Sequence, residues 1–198
     1  MGECDATFDE ITRTAKRCAA ILRDAEVDFL LAGSVAAWAR GGAPVSGDAD
    51  FIIRPDDVDR AREALREAGF RVEDPPEGWL FKAWDGDVLV DVIHEPAGLA
   101  LDDTFARSEV LSVASVDMPV MAVDDILVNK LLSFEEHYID FVGLLPIARA
   151  LREQADWPRV QACTSESAIA TGFFAMAEAL GIVPPPGERQ QRIRVSTA

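Results

Sequence analysis

The chain has 198 residues, of which 49% are hydrophobic and 27% are charged, and its formal net charge is −16. This length fits one domain, or one domain with a small helical addition, and the composition excludes wholesale disorder. The three cysteines form no CxxC pair, so we expect free thiols in a reducing compartment. Residues 1–6 are acidic and lack the basic start of a secretory leader, and no apolar stretch approaches the roughly 18 residues of a membrane span. We therefore expect a cytoplasmic protein with no membrane partner.

The net negative charge comes from the first 140 residues of the chain. Residues 1–140 hold 13 Lys or Arg against 30 Asp or Glu, whereas residues 141–198 hold 6 against 5. Such an acidic body disfavours nucleic-acid binding. The arginines of the last segment are the only place where a polyanion would be attracted locally.

Periodic apolar residues and turn signals in residues 1–122 predict helices around a mixed β-sheet. Thr7 and Glu10 form a capping box before the first helix, Gly69 ends a charged surface helix, and the sequence 85–87 predicts a hairpin turn. The expected strands span residues 28–32, 50–54, 70–72, 79–84, 88–93, 110–114 and 118–121. The expected helices span residues 7–26 and 56–68, with a third that begins after Ser34.

From residue 123 the pattern becomes helical. One helix opens at Asp124-Asp125, a second spans residues 139–151 and a third spans residues 165–181. We therefore expect an α+β fold with a mixed sheet in residues 1–122 and a small helical bundle in residues 123–187. Residues 188–198 are expected to form a flexible basic tail.

The most informative pattern is a Gly-Ser pair followed by two aspartates. Gly33-Ser34 comes directly after an apolar strand, and Asp48 and Asp50 follow on a second apolar strand, after a gap of thirteen residues. Alternate residues of a strand point to the same face, so the two carboxylates repel each other unless a cation lies between them. Mg²⁺ binds through one or two carboxylates plus substrate phosphates, and the N–H groups of a Gly-Ser turn before a helix bind phosphate. The pattern predicts a metal and phosphate site.

Asp91 adds a third carboxylate, within the strand VLVDVIH. An aspartate among valines is costly to bury unless it is paired or binds a metal; alternatively, it lies on an edge strand and points to water. Three clustered carboxylates would form a two-metal site that aligns an attacking hydroxyl, the α-phosphate of a nucleotide and the departing pyrophosphate. Lys82, on the strand expected to pair with Asp91, is a candidate phosphate contact or a solvent-facing lysine.

This order of strand, Gly-Ser, helix, Asp-x-Asp strand and later Asp strand resembles the DNA-polymerase-β-like nucleotidyltransferase superfamily over residues 27–95. The resemblance implies the nucleotidyltransferase fold and an NTP bound through its triphosphate at Gly33 and Ser34. It also implies a two-metal site on Asp48, Asp50 and Asp91 that holds Mg²⁺, with Mn²⁺ as an alternative.

The later segment MPVMAVDDILVNKLLSFEEHYIDFVGLL is similar to the corresponding part of AbiEii-type and lincosamide-type nucleotidyltransferases. Lys130 matches the lysine of that family and Asp140 its later acidic residue. The resemblance implies that Lys130 contacts the triphosphate and that Asp140 activates or positions the acceptor hydroxyl. Without the resemblance, Lys130 fits a surface lysine with a buried stem, and Asp140 fits an acidic residue on a helix surface.

The chain departs from the family pattern in two places. Pro44 and Ser46 stand where members often carry an arginine and a threonine. Ser46 is therefore a candidate nucleotide contact, and Arg40 is a candidate substitute for the arginine. The residues 137–139 replace an Arg-x-Lys sequence before the late acid, so the differences concern the substrate more than the transfer chemistry.

We expect an enzyme of the nucleotidyltransferase class (EC 2.7.7) that moves NMP from NTP to an acceptor and releases pyrophosphate. Compact AbiEii-like members include toxins of bacterial toxin–antitoxin pairs, and the MenT group modifies the 3′ end of tRNA, so the resemblance implies the tRNA 3′ end as acceptor and a small cognate antitoxin as partner. Alternatively, the acidic surface favours a cationic aminoglycoside or lincosamide and an antibiotic-modifying enzyme. A third hypothesis is a nucleotide-binding regulatory module without catalysis, but such a binder would not need three clustered carboxylates.

Overall fold

The computed structural model describes residues 6–44 and 47–184, and its architecture is the α+β fold with a mixed sheet that the sequence predicts. The helices of these residues are α1 (Phe8–Asp24), α2 (Gly33–Ala39), α3 (Val58–Glu67), α4 (Leu101–Arg107), α5 (Val123–Leu132), α6 (Phe141–Leu151), α7 (Trp157–Cys163) and α8 (Ala168–Ala179). The strands are β1 (Phe29–Ala32), β2 (Ala49–Ile53), β3 (Arg71–Glu73), β4 (Leu80–Asp85), β5 (Val88–Ile93), β6 (Glu109–Val113) and β7 (Val116–Val120). A 3₁₀ turn, Pro55–Asp57, precedes α3.

All seven strands form one sheet with the order β3-β4-β5-β2-β1-β7-β6. β2 runs parallel to β5 and β1 runs parallel to β7, while the other neighbours are antiparallel. The parallel pair β2–β5 requires a crossover, which α3, β3 and β4 supply. The end of β1, the start of β2 and the middle of β5 therefore lie side by side.

The sequence predicts most elements to within three residues. The Thr7 capping box is present, with the Thr7 side chain and Glu10 bonded reciprocally, and Gly69 follows α3 with a φ of +89°. Two helices were not predicted, α4 and α7. Each has seven residues, too few for an apolar stripe to repeat, so periodicity does not predict them.

A single hydrophobic cluster extends from α1 through the sheet to α8. α1 packs on β2 and β5, whereas α5 contacts α2 and the helices α6, α7 and α8. The change at residue 123 is therefore a change from sheet to helices within one core. Among the described residues, no helix is both long and apolar enough to cross a membrane, and the predicted tail at 188–198 lies outside these residues.

Candidate metal and nucleotide site

Strand register brings the three predicted carboxylates together. Asp50 lies directly opposite Asp91 in the parallel pair β2–β5, and it lies opposite Ala32 at the end of β1. Asp48 comes just before β2 rather than within it. One carboxylate oxygen from each of Asp48, Asp50 and Asp91 lies within 4.8 Å of the other two.

Gly33 lies immediately beside this carboxylate cluster. It begins α2 with a φ of +59°, a left-handed conformation that glycine adopts without strain. A Cβ atom at this position would overlap with Oδ2 of Asp50. The glycine of the Gly-Ser motif is thus required by the close approach of the β1–α2 backbone to the Asp50 carboxylate.

Burial and like charge both act on the Asp50 carboxylate. Desolvation, followed by the negative charge of Asp48, raises the pKa of Asp50 to about 7, although Lys130 and a hydrogen bond from the Ser34 backbone oppose this shift. Desolvation also raises the pKa of Asp91, against the hydrogen bond and charge of Lys82. A bound cation would reverse this balance, because it stabilises the ionised carboxylates.

The donor set fits a hard divalent cation. Three carboxylates converge without any histidine or cysteine among them, and oxygen ligands of this kind suit Mg²⁺ and Mn²⁺ rather than zinc. Asp48, Asp50 and Asp91 are therefore the residues that would hold the metal.

Two lysines lie at this site. The Nζ atom of Lys82 donates to Oδ1 of Asp91 at 3.0 Å, because the two-residue turn of the β4–β5 hairpin places these residues opposite each other. Lys130, near the end of α5, lines the same cavity as Asp50 and Asp91. Both predicted lysines thus approach the carboxylates, from the hairpin and from α5 respectively.

A cavity of about 510 Å³ opens beside the carboxylates, between the sheet and α5. Gly33 and Lys130 line it, as do residues that the sequence did not single out as contacts: Trp79, Glu95, Asn129 and Glu135. Within the described lining, Lys130 is the one basic residue against four acidic ones, Asp50, Asp91, Glu95 and Glu135. These four residues come from separate parts of the chain and meet only in the fold, although Asn129 directly precedes Lys130 in α5.

Two other predicted residues lie away from the described cavity lining, and a third lies outside the described residues. Asp140 caps α6, where its Oδ1 accepts the Gly143 N–H at 2.8 Å, and the described cavity lining does not include it. Arg40 donates to the carbonyl oxygens of Val120 and Met121, so its side chain joins α2 to β7. Ser46 lies outside the described residues.

No protein-family model matches the sequence, and no curated protein matches it. Among solved structures, ANT(2″)-Ia in complex with adenylyl-2″-tobramycin is 16% identical, with a TM-score of 0.60 over 82% of this chain and 98% of that chain. The lincosamide antibiotic adenylyltransferase LnuA is 9% identical, with a TM-score of 0.50 over 77% of this chain and 97% of that one. An antigenic nucleotidyltransferase-like protein from Paracoccidioides brasiliensis is 14% identical, with a TM-score of 0.53 over 91% and 96%.

The chain has the nucleotidyltransferase fold. The similarity extends over nearly the full length of these three proteins. It therefore concerns the whole architecture of the nucleotidyltransferase fold and not an isolated sheet motif.

Proposed function

We propose that this protein is a metal-dependent nucleotidyltransferase that moves NMP from NTP to a hydroxyl acceptor with release of pyrophosphate. One observation carries the proposal. Asp48, just before β2, and Asp50 and Asp91, on the neighbouring parallel strands β2 and β5, converge within 4.8 Å of one another, and the latter two line a cavity together with Gly33 and Lys130. A pure binding module has no need for three clustered, mutually repelling carboxylates, so this geometry favours catalysis over the regulatory alternative.

Each residue has a defined task in this reaction. Lys130 and the backbone of Gly33 and Ser34 bind the triphosphate, and Lys82 provides a second positive charge. Divalent cations held by the three aspartates would neutralise the phosphate charge and favour the ionised form of the acceptor hydroxyl. The acceptor oxygen forms a bond to the α-phosphorus, and the bond from that phosphorus to the α–β bridging oxygen breaks. Pyrophosphate leaves with the bonding electrons, and the hydroxyl proton passes to solvent.

Two acceptor classes follow from different observations. Besides the proposed metal ligands Asp50 and Asp91, the described cavity lining carries Glu95 and Glu135 against one lysine, which favours a cationic small molecule such as an aminoglycoside or a lincosamide. The three similar structures include two antibiotic-modifying proteins, in agreement with this acceptor class. The resemblance of residues 118–145 to AbiEii-type enzymes favours instead a toxin that acts on the tRNA 3′ end and is inhibited by a small antitoxin.

The transfer assay distinguishes these acceptors. The protein is incubated with Mg²⁺, each labelled NTP, and either total tRNA, tobramycin or lincomycin. Label on RNA supports the toxin function, and label on the drug supports antibiotic modification. Nucleotide binding without transfer to any acceptor would support the regulatory module.

The Asp48→Ala variant tests the transfer chemistry itself. It should abolish transfer and leave the fold unchanged, whereas Asp102→Ala, at an exposed position on α4, should retain activity. Full activity of Asp48→Ala would refute the metal site. Growth arrest on induced expression, dependent on Asp48, would favour the toxin over a resistance enzyme.

A further inference from the structure

A buried ion-pair cluster lies in the first turn of α5, five residues before Lys130. Asp125, in the first turn of α5, is completely buried. Its two carboxylate oxygens accept hydrogen bonds from Nε and a terminal nitrogen of Arg107, both at 3.0 Å. A terminal nitrogen of Arg159 also donates to Asp125, at 2.8 Å. One buried carboxylate therefore joins α5 to the end of α4 and to α7.

The neighbouring residue, Asp124, strengthens the same junction. Its Oδ1 accepts the backbone N–H of Asp156 at 2.7 Å, and the Asp156 side chain in turn caps α7. At the other end of α5, the Asn129 side chain donates to the carbonyl oxygen of Ala97 at 3.2 Å. The helix is thus held by directional polar contacts at both ends.

Directional contacts matter here because α5 is buried on most of its surface. Five of its ten residues are buried apolar side chains, and apolar packing is non-directional. Apolar packing keeps such a helix in the core, whereas hydrogen bonds to a buried carboxylate also restrict its rotation about its own axis. A buried aspartate between two arginines adds little net stability compared with apolar packing, and the three hydrogen bonds of Asp125 are satisfied in the observed orientation of the helix.

The orientation of α5 determines where Lys130 lies. Lys130 follows Asp125 by five residues, which is about 7.5 Å along the helix and about 140° around it. When Asp125 faces α4 and α7, Lys130 therefore faces the cavity that Asp50 and Asp91 line. We propose that Asp125, through Arg107 and Arg159, is a positioning residue that holds Lys130 in place for the triphosphate. This inference rests on the proposed function, since it assumes that Lys130 binds the triphosphate.

The test measures binding of inorganic tripolyphosphate with Mg²⁺ by isothermal titration calorimetry, because this probe reports on the triphosphate site whatever the preferred base. Lys130→Ala should weaken binding at least roughly tenfold through loss of a charge-assisted contact. Asp125→Asn should weaken it at least roughly fivefold, within the range of coupled sites. The double variant should bind no more weakly than Lys130→Ala alone, because a misplaced lysine and a missing lysine are equivalent. A purely structural role of Asp125 would instead give effects that multiply.

Two further variants keep the test decisive. Arg159→Gln leaves Asp125 paired with Arg107, so it should give a milder loss of tripolyphosphate binding. It replaces Asp125→Asn in the test if that variant fails to fold. Asp102→Asn breaks the exposed pair that Asp102 forms with Arg54 on α4, and it should leave binding unchanged. All measurements are made well below each variant's unfolding temperature, determined by circular dichroism.

The outcomes separate the two proposals. Absence of tripolyphosphate binding by the wild type, or unchanged binding by Lys130→Ala, would overturn the proposed triphosphate site and this inference with it. Weaker binding by Lys130→Ala but wild-type binding by Arg159→Gln and Asp125→Asn would overturn only the positioning role. Multiplicative losses in the double variant would overturn it as well.

Discussion

At Gly33 the backbone turns from β1 into α2 directly against the Asp50 carboxylate, so this position has no room for a Cβ atom. Gly33→Ala should displace Asp50 and reduce transfer at least roughly 100-fold, the scale of a misplacement near 1 Å. The measurement is kcat/KM under saturating Mg²⁺. Gly69→Ala is the matched control, because Gly69 also has a positive φ but open space around it. It should lose stability through backbone strain and keep its activity; comparable activity losses in both variants would contradict the steric argument.

The Asp50 carboxylate makes the metal-free protein sensitive to pH. Its pKa is raised from 3.8 to about 7, so the folded state binds this proton more tightly than the unfolded state does. The free energy of unfolding should therefore fall as pH rises from about 4 to 7. Asp50→Asn removes this loss and should make the metal-free protein more stable at pH 8, by on the order of a few kcal/mol at most.

Urea denaturation at pH 5 and pH 8, with and without Mg²⁺, measures this effect. Mg²⁺ should stabilise the wild type at pH 8 through binding to the native state, and it should stabilise Asp50→Asn far less. Asp56→Asn, at an exposed position before α3, is the control and should follow the wild type. Lower stability of Asp50→Asn at pH 8 without metal would show that like-charge repulsion and burial are not the dominant effects.

At the scale of elements, an aromatic cluster joins the C-terminal helices. Phe173 of α8 is completely buried, and its ring contacts Phe141 and Phe174 at centroid distances of 5.7 Å. Phe173→Ala should lower the free energy of unfolding by about 3–5 kcal/mol, as expected for a large side chain removed from a core. Met176→Ala, on the same helix but 40% exposed, should cost far less. Equal losses in the two variants, measured by urea denaturation, would show that the cluster is not part of the core.

Local sequence signals predict some contacts of the candidate site and not others. The two-residue turn of the β4–β5 hairpin fixes its register, so the proximity of Lys82 and Asp91 follows from local signals. The proximity of Asp50 and Asp91 does not, because it depends on a long crossover and a parallel register that no local signal determines. Likewise, no local signal predicts the contact between Arg107, at the end of α4, and Asp125, because the two residues meet only in the folded chain. For Asp140 the structure shows an N-cap, whereas its catalytic role stays a prediction.

At the scale of the whole molecule, the net charge of −16 should influence which ligands approach the cavity. Increasing salt shortens the Debye length from about 10 Å at 0.1 M to about 3 Å at 1 M. We expect higher salt to weaken the binding of a cationic ligand such as tobramycin. The binding of Mg-tripolyphosphate should stay unchanged or become stronger. Titrations of both probes at 0.1 M and 1 M NaCl check this. Stronger tobramycin binding at high salt would contradict an electrostatic contribution from the acidic lining.

The parallel pairing of β2 with β5 also has a consequence for the order of folding events. Asp50 and Asp91 belong to strands that meet only after α3, β3 and β4 have crossed between them, so their shared site is assembled by long-range contacts. We expect this site to form after the folding transition state, so that a cation binds the native state and not the transition state. In stopped-flow experiments Mg²⁺ should therefore slow unfolding while the refolding rate stays nearly constant. The ion would then lengthen the lifetime of the native protein without helping it to fold.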